Sequence, residues 1–123
     1  MAPRLQDGRR QAVSVRRLCR VDEVPEGGAL GFRFGSGPDL AAILVAKRDG
    51  ALYAYHNACP HLGTPLDFLP GRFFDRDGRY LLCGTHGACF RLEDGYCIEG
   101  PCSGKRLRKA EIRIEAGEVA LVG

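Results

Sequence analysis

The chain has 123 residues, with 18 Lys and Arg against 15 Asp and Glu and 45% hydrophobic residues. That suffices for one domain burying roughly two-thirds of its unfolded surface and leaves no room for a large catalytic domain beside it. The net charge of +3 gives no ground for a nucleic-acid partner, and no run of about 18 apolar residues offers a membrane span.

In chain order, residues 1–11 read as a mobile basic tail whose only sizeable apolar group is Leu5. Six arginines fall in the first twenty residues, but no apolar stretch follows the Arg9-Arg10 pair, so it is not an export signal. A cytoplasmic protein is expected, with one domain over 12–123. Val13–Cys19 and Leu30–Phe34 read as an early ribbon separated by Pro25 and Gly27-Gly28. Ile43–Lys47 and Leu52–Tyr55 flank Asp49-Gly50, the favoured two-residue hairpin turn. Asp-Gly recurs at Asp77-Gly78, before Tyr80-Leu81-Leu82, and at Asp94-Gly95, between Phe90 and Tyr96. Ala110, Ile112 and Ile114 alternate with charged residues, and Ala116-Gly117 turns the chain into Val119, Leu121 and Val122. No apolar stripe of helical period has useful length. Seventeen glycines, about twice the usual share of roughly 7%, agree with a turn-rich chain. The fold class is all-β, eight or nine short antiparallel strands in a sandwich or small barrel.

Six cysteines stand at 19, 59, 83, 89, 97 and 102. In a reducing compartment they point to metal before disulfides. Two of them lie beside histidines: Cys59-Pro60-His61, then twenty-one residues, then Cys83-Gly84-Thr85-His86. Each motif follows a strand and enters a loop. Two thiolates and two imidazoles suit tetrahedral zinc or an iron–sulfur cluster. Zinc fingers commonly pair cysteine with cysteine and histidine with histidine; here each loop supplies one of each, which suits a cluster with a sulfur-rich and a nitrogen-rich end.

These motifs resemble those of Rieske-type [2Fe–2S] proteins, in the branch of ferredoxins that serve oxygenases. Beyond the four candidate ligands, His61-Leu62-Gly63-Thr64-Pro65-Leu66, His86-Gly87 and Gly100-Pro101 share the resemblance, which extends over residues 13–122. It implies a Rieske-like fold whose pair of loops holds one [2Fe–2S] cluster, Cys59 and Cys83 on the inner iron and His61 and His86 on the outer. Exchanging two thiolates for neutral imidazoles lessens the repulsion met by an added electron. The potential then rises from about −400 mV in plant-type ferredoxins to between about −150 and +300 mV.

High-potential members of the family tie the two loops together with a cysteine in each, where this chain has Thr64 and Thr85. They also place Ser and Tyr hydroxyls where it has Ala88 and Phe90. Fewer hydrogen-bond donors to sulfur imply a potential in the lower part of the Rieske range. The spacer between the motifs is longer than is typical of the ferredoxin branch, the extra length falling in Phe68–Arg79. Of Phe73 and Phe74, one is expected beneath the loop and the other partly exposed. Cys97 and Cys102 flank Gly100-Pro101, a segment that in the family covers the cluster, and read as two free thiols. Cys19 and Cys89 read as small buried hydrophobes, and His56 as a surface or structural histidine.

The function implied is one-electron transfer from a flavin-dependent reductase to a terminal, ring-hydroxylating type oxygenase, by a carrier that is not itself catalytic. The alternatives are a redox-sensing or zinc-held structural module, or a non-catalytic subunit of a larger oxidoreductase. An oxygenase component is excluded within this chain. Once His61 and His86 are assigned, only His56 remains, too few histidines for a second, mononuclear site.

Overall fold

A computed structural model gives the fold and describes residues 15–35, 41–60, 65–67, 72–84 and 87–122. The segment 1–11 read as a tail, the strand start at Val13, and residues His61, Leu62, Gly63, Thr64, Phe68, Thr85 and His86 lie outside them. The described residues hold nine strands: β1 (Val15–Arg20), β2 (Ala29–Phe34), β3 (Ala41–Arg48), β4 (Ala51–His56), β5 (Tyr80–Leu82), β6 (Cys89–Arg91), β7 (Cys97–Glu99), β8 (Ile112–Glu115) and β9 (Glu118–Val122). Their one helical element is the 3-10 turn Val21–Glu23. The expected all-β class is what forms.

Three antiparallel sheets result, in the orders β1-β9-β8, β2-β3-β4 and β5-β6-β7. The centre is β3, where Ile43, Leu44, Val45 and Ala46 are all buried. A strand reads as a continuous apolar run when both of its faces are covered. The period of two then divides this run between two cores. Leu44 and Ala46 join Tyr55, Leu66, Phe73, Leu81, Phe90 and Leu92 in one. Ile43 and Val45 join Cys19, Val24, Ala54, Ala110 and Val119 in the other. The middle sheet is thus a shared wall, with β5-β6-β7 on the first core and β1-β9-β8 on the second.

The β3–β4 hairpin turns at Asp49 and Gly50, whose φ angles of 54° and 79° are the two positive values that this tight turn demands. One expectation fails: β1 and β2 do not form a ribbon. β1 pairs with β9, and β2 with β3. The turn Val21–Glu23 breaks the extended chain, and Val24, buried in the second core, carries it across from one outer sheet to the middle one. The β1–β9 ladder brings Cys19 opposite Val119, and that buried partner decides the pairing.

Tyr55 locks the middle sheet to the sheet below. Its ring lies against the backbone at Gly95, where an added Cβ would come within 2.9 Å of it, and its hydroxyl donates to the carbonyl of Leu92. Burial, then the nearby Asp94 and Glu93 carboxylates, push its pKa up to about 12. Replacing it by Phe strands a carbonyl in the core, which costs about 1–3 kcal/mol. Urea unfolding of Tyr55→Phe against the parent chain measures that loss, and an unchanged midpoint would contradict it.

Candidate metal centre

The first loop begins where β4 ends. His56 N–H donates to Arg108 O and Asn57 N–H to Ala42 O, each at 2.8 Å, which fixes the strand end against two neighbours. The Asn57 side chain then closes the loop on itself. Its Oδ1 accepts from Leu66 N–H at 2.7 Å, and its Nδ2 donates to Asp67 Oδ1 at 2.9 Å. Arg33, from β2, adds an ion pair to the same Asp67 oxygen at 3.9 Å. Cys59 lies inside this closed loop and is 1% exposed.

The second loop begins where β5 ends. Leu82 N–H donates to Phe73 O at 2.8 Å, and Phe73 itself packs beneath, against Gly31 of β2. Phe74 is partly exposed, as expected of the pair. Cys83 N–H donates to Ala88 O, and Gly87 N–H returns to Cys83 O, each at 2.8 Å. Cys83 is fully buried. A backbone bond then ties the loops together: Gly84 N–H donates to Leu66 O at 2.9 Å.

Cys59 and Cys83 therefore share one core, together with Cys97, Cys102, Leu66, Ala88 and Phe90. These two sulfurs, in matching positions of two linked loops and shielded from water, fit the sulfur half of a mixed sulfur–nitrogen donor set. The candidate nitrogen ligands His61 and His86 lie outside the described residues. Ala88 and Phe90 are buried beside Cys83, and neither side chain carries a donor.

Cys97 and Cys102 face one another with 3.2 Å between their sulfurs, well beyond the roughly 2.05 Å of a disulfide. Both are free thiols in the structure. Burial above all, then the bond to Cys97, push the Cys102 thiol up to about 12. Cys19 is buried as expected, whereas Cys89 is only partly so: β6 is three residues long, and its alternation buries Phe90 and turns Cys89 outward.

His56 lines an open notch of about 460 Å³ with Arg33 and Arg108. Its pKa lies below the ordinary 6.5, chiefly through burial and then through the Arg108 guanidinium. A structural histidine is what this placement makes it. Sequence reading missed Asn57 altogether. The available signal was an Asn at a strand end two residues before a candidate ligand, a position suited to a side chain that bonds to nearby backbone.

The profile of the Rieske [2Fe-2S] domain matches residues 14–115. The chain belongs to the Rieske [2Fe–2S] domain family. The family's cofactor is one Rieske-type [2Fe–2S] cluster. The ferredoxin component of the p-cumate 2,3-dioxygenase system of Pseudomonas putida is 28% identical over 102 residues, covering 83% of this chain and 80% of that one. A ferredoxin of Sphingomonas yanoikuyae B1 superposes with a TM-score of 0.67 at 25% identity, over 88% of this chain and 97% of that one. A chain from the complex of reduced oxygenase and oxidised ferredoxin in carbazole 1,9a-dioxygenase gives 0.68 at 23% identity, over 89% and 93%.

Two outcomes follow from this geometry. Asn57→Ala leaves the buried Leu66 N–H without its acceptor, which lowers stability by about 1–3 kcal/mol and speeds amide exchange at Leu66; exchange at the parent rate would contradict the closure. The second concerns acid. Because folding lowers the His56 pKa below 6.5, the unfolded chain binds the proton more tightly, so this residue's share of stability is complete above 6.5 and is lost as pH falls from there to the folded value. Unfolding midpoints across that window should decline less steeply in His56→Gln than in the parent; equal slopes would contradict the shift.

Proposed function

We propose that this protein is a one-electron carrier whose [2Fe–2S] cluster is held by Cys59, His61, Cys83 and His86. The observation that carries the reading is the burial of Cys59 and Cys83 in one core, on two loops joined by the Gly84–Leu66 bond. Support for the carrier role comes from the p-cumate ferredoxin component, 28% identical and spanned over 80% of its length. The fold shared with the ferredoxin–oxygenase complex is consistent with it.

When bound, the cluster takes up and gives back one electron, at a potential set by its ligands and by the hydrogen bonds reaching its sulfurs. The chain's own contribution is positional. Asn57 and the Gly84–Leu66 bond hold the two thiolates at a fixed separation through both redox states, so little reorganisation accompanies transfer. Leu66, Ala88 and Phe90 exclude water from the sulfur side. The imidazoles of His61 and His86 would cap the opposite, outer side and offer the route by which electrons leave.

The donor in this scheme is a flavin-dependent reductase and the acceptor a terminal oxygenase of the ring-hydroxylating type. Contacts of this kind are small, below about 1,200 Å², and transient. The cytoplasm is the compartment proposed, where six cysteines would stay as thiols or ligands. Among the described residues no helix is long and apolar enough to cross a membrane. The carrier catalyses no turnover of its own.

Iron and acid-labile sulfide assays on anaerobically purified protein should find iron and sulfide in equal amounts, two of each per chain for a single [2Fe–2S] cluster. Bound zinc instead would contradict the reading. Rapid mixing of the reduced protein with an oxidised oxygenase should then restore, in step with the electrons delivered, the visible absorbance that reduction had bleached. Ala88→Ser and Phe90→Tyr, each adding a hydroxyl beside the second loop, should raise the potential in voltammetry; a potential unmoved by both would remove those positions from its control.

A further inference from the structure

We propose that the notch lined by Arg33, His56 and Arg108 is a socket for a carboxylate side chain, through which an acidic surface of a protein redox partner seats beside the first loop. The inference rests on the carrier reading above and adds to it the partner's chemistry and the place of contact.

The socket follows from strand order. Arg33 of β2 stands opposite Ala42 of β3. At the end of β4, Asn57 N–H donates to Ala42 O and His56 N–H donates to Arg108 O. Four neighbouring backbone segments thus cross one end of the middle sheet, with an arginine on the first and on the last. Adjacent strands lie about 4.8 Å apart, so three spacings separate the two arginine backbones by about 14 Å. Between them lie Ala41, Ala42 and Ala58. Side chains this short leave the space open, and the notch holds about 460 Å³.

Its charge is one-sided. No acidic side chain is among the described residues that line it. Arg108 is exposed and forms no ion pair among the described residues. Arg33 pairs with Asp67 at 3.9 Å, but its side chain stays 51% exposed while that of Asp67 is only 8% exposed. The Asp67 carboxylate also accepts from Asn57 Nδ2, and a guanidinium has five donors, so a pair this long leaves Arg33 with donors to offer. Guanidinium groups recognise carboxylates through paired N–H donors. Two of them across an open gap suit an Asp or Glu side chain entering from outside.

The surroundings favour a protein surface as its bearer. Lys105, Arg106 and Lys109 are exposed on the same segment as Arg108. That segment is pinned by the buried Leu107 and by bridges from Arg106 to Tyr96 and from Lys109 to Tyr55. A row of like charges on a fixed backbone steers an acidic surface into contact. Ala58 and Pro65 line the notch too, and Cys59 lies between them in the chain. A partner seated there abuts the loop that carries Cys59.

The test uses the oxidised holoprotein and an end-capped, dye-labelled hexaglutamate peptide, followed by fluorescence anisotropy at low ionic strength. The peptide should bind saturably and be released by added salt. Arg33→Ala and Arg108→Ala should each weaken binding by up to about fivefold, the range for exposed ion pairs. Arg113→Ala, which removes an exposed arginine of β8 outside the notch, should leave binding unchanged. Arg108 has no ion partner to lose, so its variant tests the socket without loosening the Asp67 contacts. In stopped flow, the peptide should also slow reoxidation of the reduced protein by ferricyanide. The proposal is overturned if Arg108→Ala binds the peptide as the parent does, if Arg113→Ala weakens it equally, or if the peptide leaves the ferricyanide rate unchanged. Inorganic phosphate that displaces the peptide at equal concentration would make the notch a small-anion site and overturns it too. Protein lacking iron and sulfide fails the carrier reading instead, and the anisotropy result, which needs no electron transfer, keeps the two failures distinct.

Discussion

The hydrogen bond from Gly84 N–H to Leu66 O, 2.9 Å long, is the constraint on which the site depends. Among the described residues it is a backbone tie between two loops that would otherwise be independent hairpin ends. Where high-potential members of the family place a disulfide, this chain has Thr64 and Thr85, so non-covalent bonds must hold the loops in register. Asn57 supports the tie from one side by fixing Leu66 through its own N–H. Cys83, bonded at both its N–H and its carbonyl, supports it from the other. Each bond alone contributes about 1 kcal/mol. Acting on one short segment, they hold Cys59 and Cys83 in one core.

The three-sheet architecture makes that possible. Because β3 is covered on both faces, its alternate residues feed two separate cores. The second core, closed by β1-β9-β8, gives the domain a half in which neither Cys59 nor Cys83 takes part. The first is then free to contain cysteines rather than only aliphatic side chains. Tyr55 ties the shared wall to the sheet on the first core by reaching Leu92. A site for electron transfer gains from this division: Cys59 and Cys83 lie buried in the first core, while the second is built from other residues.

Much of this was legible in the residues. Asp49-Gly50 and Ala116-Gly117 marked their hairpins because those turns need positive φ, and the Cys59/His61 and Cys83/His86 pattern pointed to the family because few other arrangements mix sulfur and nitrogen within each loop. The partners of β1 and β2 were not legible. Strand pairing between distant segments depends on which apolar faces meet, and nothing near Val15–Arg20 announces that Val119 will cover Cys19. Asn57 escaped for a related reason: an isolated Asn reads as a turn residue until Leu66, nine positions on, is seen to need its oxygen. The placement of Cys97 and Cys102 required three dimensions too, since spacing alone does not bring their sulfurs within 3.2 Å of each other.

On the ligand set proposed for Cys59, Cys83, His61 and His86, the chemistry of the centre comes down to unequal ligation, two thiolates against two ring nitrogens. Pulsed electron paramagnetic resonance of the dithionite-reduced protein examines that directly. The account predicts hyperfine couplings from two iron-bound imidazole nitrogens, one disappearing when His61 is substituted and the other when His86 is. A reduced cluster showing no strongly coupled nitrogen would contradict it.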